Sequence, residues 1–124
     1  MRSRLLASMG ALVLTLGGLL AAAGPAAAEP AHCSGWGTHP DLYSNGGISF
    51  LDGTYIHDGP YTDCTSVGQG FPSQGINVHC GVWNDSNVWW LYVVDTSTGK
   101  AGWVRHDALS GPDNYPNVND CYFG

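Results

Sequence analysis

The nine residues 56–64, IHDGPYTDC, bring together side chains that could do chemistry, because they include His57, Asp58, Tyr61 and Cys64. A cysteine near a histidine can serve as a nucleophile with its base. Histidine, cysteine and carboxylate are also the ligands that zinc prefers. The same composition fits a strand that ends in a tight bend and is stapled by a disulfide. The sequence therefore opens three interpretations: a nucleophilic site, a metal site or a turn.

Local geometry favours the turn. Successive side chains of a strand point to opposite faces, so His57 and Asp58 are badly placed to act on one substrate atom. Gly59-Pro60 supplies a bend, because proline fixes its own φ and restricts the residue before it. His106-Asp107 could form half of a hydrolytic triad, but the chain has neither a nucleophile-elbow serine nor a His-Glu-x-x-His helix motif. We predict no catalytic residue and no enzyme activity.

The four cysteines predict two disulfides in an exported protein. Three pairings are possible, and position along the chain favours Cys64 with Cys80 and Cys33 with Cys121. His79 lies beside Cys80 and could support a cysteine nucleophile, but a disulfide would consume the thiol. The cysteine spacings match no structural zinc pattern, so we predict no metal and no cofactor.

Residues 1–28 have the order of a secretory signal peptide: a basic start, an apolar middle and a small-residue cleavage site before Glu29. The alternative is an uncleaved membrane anchor, since the apolar run is long for a signal. Cleavage after Ala28 predicts a secreted, extracellular protein with no membrane contact after processing. Its length suits one small domain, which we expect to be a monomer.

Charge excludes several partners. Beyond residue 28 the chain keeps two basic residues, Lys100 and Arg105, against ten acidic ones, a formal net charge of −8. Binding to nucleic acid or to an anionic membrane depends on clustered lysine and arginine. We therefore predict no nucleic-acid partner, and anionic wall polymers are disfavoured for the same reason. A neutral or basic ligand is expected.

Short runs rich in branched and aromatic residues predict an all-β fold of five to six strands, in a small barrel or sandwich. Glycine, proline, asparagine and aspartate separate the runs as turn residues. An irregular amino-terminal arm is predicted for residues 29–47, and a tail tied back through Cys121 for residues 112–124. The predicted strands are 48–51, 54–57, 76–83, 88–95 and 101–105.

The run 88–94, VWWLYVV, is apolar on both faces of a strand. Alternation places Trp89, Leu91 and Val93 on one side and Trp90, Tyr92 and Val94 on the other. Either the arm covers the outer face, or some rings are exposed for a ligand. Trp89, Trp83 and Tyr61 are the candidates for an aromatic groove that docks extended peptides or sugars.

Three motifs in order, YIHDGPYT at 55–62, WLYV at 90–93 and GKAGWV at 99–104, with a closing Leu109, resemble the bacterial SH3-like domains of secreted and cell-wall proteins. The two cysteines at 64 and 80 resemble a small exported subgroup from Gram-positive bacteria. The resemblance implies a disulfide-stapled SH3-like barrel over residues 48–111 that binds without catalysis. It assigns structural roles to Gly59, Pro60, Trp90, Gly102 and Trp103. His57 stands at a position where the family usually has an arginine that contacts the ligand.

Together these observations predict a secreted, non-catalytic module that binds a cell-envelope peptide or glycan of the peptidoglycan type. The predicted ligand-binding residues are Tyr61, Trp83, Trp89 and His57. One alternative is a small secreted hydrolase that acts on the cell wall through His57, His79 or His106. Another is a binder of an extracellular protein, such as an inhibitor or effector.

Overall fold

The computed structural model describes residues 28–43, 47–111 and 118–122, so residues 1–27 of the predicted signal peptide and most of the predicted tail lie outside it. The fold of the described residues is all-β, with two three-residue 3-10 turns at Ala31–Cys33 and His106–Ala108. None of their helical turns could cross a membrane. The strands are β1 (Ser49–Phe50), β2 (Thr54–His57), β3 (Ser66–Gly70), β4 (Ile76–Trp83), β5 (Trp89–Asp95), β6 (Ala101–Arg105) and β7 (Leu109–Ser110).

The predicted all-β class is confirmed, and β2, β4 and β6 have the predicted bounds. Strand β3 was not predicted, because its sequence SVGQG contains two glycines and one branched residue. It forms by pairing with β2, where Tyr55 lies opposite Gln69 and Ile56 opposite Gly68. Gly70 is required there, since an added Cβ would lie 2.4 Å from the ring of Phe50. Tertiary contact therefore overrides a weak local preference in β3.

Five strands form one antiparallel sheet in the order β3-β2-β6-β5-β4, while β1 and β7 pair separately. Within the described residues β3 and β4 are the two edges of this sheet, so the predicted barrel is not closed. The edge of β4 is covered by other segments. The Leu42 N–H of the arm donates to the His79 carbonyl at 2.8 Å, and Gly81 pairs with Asp120 of the tail.

Strand β5 has two buried faces, as its alternation predicts. Trp89, Leu91 and Val93 belong to one hydrophobic core, which also contains Phe50 of β1 and Leu109 of β7. We call this the first core. The two-stranded sheet of β1 and β7 contributes to its packing.

The opposite face forms a second core from Trp90, Tyr92, Trp103, Val82 and Cys80. The amino-terminal arm covers this second core. The rings of Trp36 and Trp103 lie 5.6 Å apart between centroids, and His39 packs edge-on at 5.2 Å against both Tyr92 and Trp103. Leu42 also packs there. Of the two expectations for the outer face of β5, cover by the arm is the one observed.

All four cysteines form disulfides, but the predicted pairing is wrong. Cys33 is bonded to Cys64 and Cys80 to Cys121, with Cα–Cα distances of 5.4 and 4.9 Å. The reason is the strand order: Cys64 lies just before β3 and Cys80 lies in β4, and these strands are at opposite edges of the sheet. Each bridge instead joins the sheet region to a covering segment, the arm through Cys33 and the tail through Cys121.

Replacing Cys33 and Cys64 together by serine should lower the free energy of unfolding by about 3 to 4 kcal/mol, since the bridge closes a loop of this length in the unfolded chain. It should also release the arm to proteolysis before the sheet unfolds. Urea unfolding and limited proteolysis measure the two effects. The Cys80→Ser, Cys121→Ser variant is the matched control, with a similar loss of stability and a protected arm. A peptide linked through Cys64 and Cys80 in the unreduced protein would contradict this pairing.

Candidate ligand-binding groove

The segment IHDGPYTDC forms the end of β2 followed by a tight turn. The Tyr61 N–H donates to the Gly59 carbonyl at 2.9 Å, and the Cys64 N–H donates to the Tyr61 carbonyl at 3.2 Å. Gly59 and Pro60 are buried. A Cβ on Gly59 would lie 2.9 Å from Cys64 Sγ and 3.1 Å from Cys33 Cα. The glycine lets the turn pack directly against the disulfide, and the turn fixes where Tyr61 stands.

His57 and Asp58 make separate contacts. One ring nitrogen of His57, Nδ1, lies 2.8 Å from the Cys64 carbonyl oxygen, and its ring packs edge-on against Trp90 with 5.6 Å between centroids. Asp58 lies beside Glu29 of the arm, and its backbone N–H donates to the Thr65 carbonyl. His57 and Asp58 therefore contact different groups around the turn.

Tyr61 stands at the centre of a surface groove. Its ring packs on His32 of the arm at 4.1 Å between centroids, and His32 Nε2 is 2.7 Å from Asp63 Oδ1. Two cavities of about 520 and about 360 Å³ share His32, Tyr61 and Asp85. We call this pair of cavities the Tyr61 groove. The larger also contacts Asn84, Trp90 and Arg105, and the smaller contacts Trp36 and Tyr122.

Asn84 holds the β4–β5 turn against the Gly-Pro bend. Its amide Nδ2 donates to the Pro60 carbonyl at 2.8 Å, while its Oδ1 accepts the backbone N–H groups of Ser86 and Val88 at 3.0 and 3.1 Å. The Asp85 N–H points at the Tyr61 hydroxyl, 3.4 Å away. One asparagine thus fixes the distance between two sides of the Tyr61 groove.

The groove offers aromatic rings and carboxylates. Asp63 and Asp85 bring negative charge, while the positive charge of Arg105 is paired with Asp107 at 3.1 Å between Nε and Oδ1. Trp90 is 2% exposed and lines the larger cavity, and its indole Nε1 has no hydrogen-bond partner among the described residues. Flat rings with a few polar groups suit a sugar or a peptide.

The structure brings only one of the four predicted ligand-binding residues into the Tyr61 groove, namely Tyr61. Trp89 is 6% exposed in the first core, and Trp83, 59% exposed, packs against it at a tilt with 5.1 Å between ring centroids. His57 packs against Trp90, which was predicted as structural and also lines the groove. Sequence reasoning missed His32, Asn84, Asp85 and Arg105.

The histidines of the hydrolase alternative are dispersed. His79 Nδ1 is 2.9 Å from the His39 carbonyl oxygen and its Nε2 is 3.3 Å from Asn77 Nδ2. His106 begins the 3-10 turn after β6. Neither these two nor His57 lines the Tyr61 groove.

Possible metal ligands cluster at the two disulfides. The three groups of close ligand atoms among the described residues all include disulfide-bonded cysteines, for example His32 and Asp63 with Cys33 and Cys64. A bonded sulfur is no thiolate, and the thiolate is the form that binds metal. Each of these groups therefore loses its sulfur ligands to a bridge.

The chain matches no protein-family model, no curated protein and no solved structure. Its likeness to bacterial SH3-like domains rests on the residues quoted from its own sequence.

Two carboxyls at the base of the turn affect each other. Burial raises the pKa of Asp58 above its ordinary value of 3.8, and a hydrogen bond and charge repulsion from Glu29 raise it further. The Thr65 N–H donates to Glu29 Oε1, and hydrogen bonds from Thr65 lower the pKa of Glu29. A proton on Asp58 therefore stabilises the pair, while an ionised Asp58 faces an ionised Glu29.

Asp58→Asn should be more stable than the wild type at pH 7. Because folding raises the pKa of Asp58, its proton stabilises the folded state at pH values below the unfolded pKa, here 3.8. This stability is lost as pH rises through the folded pKa. The asparagine removes that loss, so its melting midpoint should exceed that of the wild type by a few degrees at pH 7 and converge with it towards pH 3. Thermal unfolding between these pH values measures the gap. Asp52→Asn, at an exposed turn, is the control, and a gap independent of pH would contradict the coupling.

Proposed function

We propose that this chain is a secreted, non-catalytic SH3-like module that binds a peptidoglycan-type peptide or glycan of the bacterial cell envelope in the Tyr61 groove. The observation that carries the proposal is the close, tilted ring contact between Tyr61 and His32 beside Trp90, at the larger cavity of the groove, about 520 Å³. This volume lies within the usual range of small-ligand sites.

The SH3-like assignment draws support from where the motif residues lie. Trp90 and Trp103 stand on neighbouring strands β5 and β6 and pack in the same core. Gly102 lies against β2, where an added Cβ would be 2.4 Å from the His57 carbonyl oxygen. Gly59 and Pro60 form the bend that the resemblance implies. These positions agree with the structural roles expected of them.

The peptide or glycan ligand is supported by the chemistry of the groove. Rigid rings provide contact area at a low cost in side-chain entropy, and the carboxylates of Asp63 and Asp85 can accept hydrogen bonds from hydroxyl, amide or ammonium groups. The negative charge of the domain disfavours anionic polymers as ligands. A neutral or amine-bearing wall fragment fits both properties.

One observation favours a second candidate, a binder of extracellular proteins. Trp83 is 59% exposed on the first-core side, and Tyr55 is 57% exposed on β2. Large exposed aromatics are enriched at protein interfaces. This candidate would use Trp83, whereas the wall ligand would use the Tyr61 groove.

Tyr61→Ala should weaken co-sedimentation of the protein with insoluble peptidoglycan at least tenfold, about 1.4 kcal/mol, because it removes the central ring of the groove. Tyr55→Ala is the matched control, since it deletes an equally large exposed ring outside the groove. Trp83→Ala should also bind like the wild type. The amount of bound protein as a function of peptidoglycan concentration gives the comparison.

Two outcomes would contradict the proposal. The first is a wild-type protein that does not sediment with peptidoglycan at any pH between 5 and 8, and the second is an equal loss of binding in the Tyr55 control. Capture of a secreted protein that depends on Trp83 alone would instead favour the second candidate.

A further inference from the structure

The smaller cavity of the Tyr61 groove, about 360 Å³, is lined mostly by ring side chains. The rings come from His32 and Trp36 of the arm, Tyr61 of the turn and Tyr122, the residue after Cys121. Tyr122 is 58% exposed, and Trp36 and Tyr61 are partly buried, so each ring is open to solvent over part of its surface. A ligand can therefore reach these rings without opening either core.

Hydrogen bonds and ring contacts hold these rings in place. The Trp36 indole Nε1 donates to the His32 carbonyl at 2.7 Å, and the His39 ring packs edge-on against Tyr122 with 5.3 Å between centroids. The centroids of Trp36 and Tyr61 are 6.4 Å apart, and their planes are tilted by 58°. Because both rings line the same cavity, a group in that cavity can lie within about 6 Å of both centroids, the range over which an aromatic ring attracts a cation.

The charge around the smaller cavity is negative. Asp85 lines it, and the Asp85 backbone N–H lies 3.4 Å from the Tyr61 hydroxyl, which places this acidic residue next to the ring. No lysine or arginine is found among the described residues that line the cavity. His32 Nε2 is paired with the Asp63 carboxylate at 2.7 Å, which offsets a positive charge on the imidazole. Attraction between charges needs no hydrogen-bond alignment, so Asp85 favours a cation in the cavity.

We propose that the smaller cavity of the Tyr61 groove binds an alkylammonium group, held by the rings of Trp36, Tyr61 and Tyr122 and by the charge of Asp85. A neutral hydroxyl or amide would gain the ring contact without the charge attraction, and the net charge of the domain repels an anion. The free side-chain amine of a peptide and a trimethylammonium group both carry the required chemistry. The inference rests on the proposed function, because it names the part of the wall ligand that enters this cavity.

Titration of the 15N-labelled protein with small cations tests the proposal through the indole N–H resonance of Trp36. The probes are N-acetyl-lysinamide and choline, and each has a neutral counterpart of similar shape, N-acetyl-norleucinamide and 3,3-dimethylbutan-1-ol. We expect a saturable shift of the Trp36 signal with at least one cation and binding about fivefold weaker for its neutral counterpart. The cation that binds more tightly identifies a primary or a quaternary ammonium as the preferred group.

Asp85→Asn should weaken binding of the cation about fivefold, because it removes the negative charge beside Tyr61. Asp52→Asn is the matched control, since it changes the net charge equally at an exposed turn outside the groove and should leave the affinity unchanged. Tyr122→Ala should weaken binding about threefold, whereas Tyr122→Phe keeps the ring and should bind like the wild type.

Absence of a saturable Trp36 shift with both cations would overturn the proposal. Equal binding of the cations and their neutral counterparts, or an equal loss in Asp85→Asn and Asp52→Asn, would overturn it as well. Failure of the proposed function gives a different result. A protein that sediments with peptidoglycan but responds to neither cation retains the proposed function without the ammonium site, and the reverse result retains the ammonium site without the wall ligand.

Discussion

The structure depends on one constraint: strand β5 is apolar on both faces, so both faces must be covered. One face of β5 packs around Trp89 and Leu91 with help from the separate two-stranded sheet of β1 and β7. The other face carries Trp90 and Tyr92 and needs material from outside the sheet. The arm provides that cover, although it contributes no strand among the described residues. Hydrophobic burial thus determines where an irregular segment lies, and the Tyr61 groove forms at the margin of that segment.

The disulfides follow from the same constraint. An irregular arm has few backbone hydrogen bonds to hold it, and the Leu42 bond to β4 is one of them. A covalent bridge restricts such a segment mainly by reducing the conformations of the unfolded chain. The arm is held through Cys33 at its start, and the tail is held through Cys121 beside β4. Each bridge therefore attaches a covering segment where the strand ladder alone would hold it weakly.

The sequence predicts the strongly patterned elements well. Period-two alternation in β5 separates the two cores correctly, and the strands bounded by clear turn residues have the predicted ends. Strand β3 is missed because its two glycines carry no local signal, and the pairing of Cys64 depends on where β3 lies. The groove is missed for a related reason. The turn at Asn84 is readable from its residue types, but its contact with Pro60 depends on strand order, which one sequence does not encode locally.

The neighbourhood of His32 and Cys33 links the Tyr61 groove to a disulfide. His32 forms one side of the Tyr61 groove, and the residue after it is bonded to Cys64, three residues beyond Tyr61. Both sides of the groove are thus joined by a single oxidation event. Without this bond, contacts such as the His32–Asp63 hydrogen bond and the ring contact of His32 with Tyr61 are what join the two sides. The redox state of two thiols thus bears directly on the geometry of the proposed binding surface.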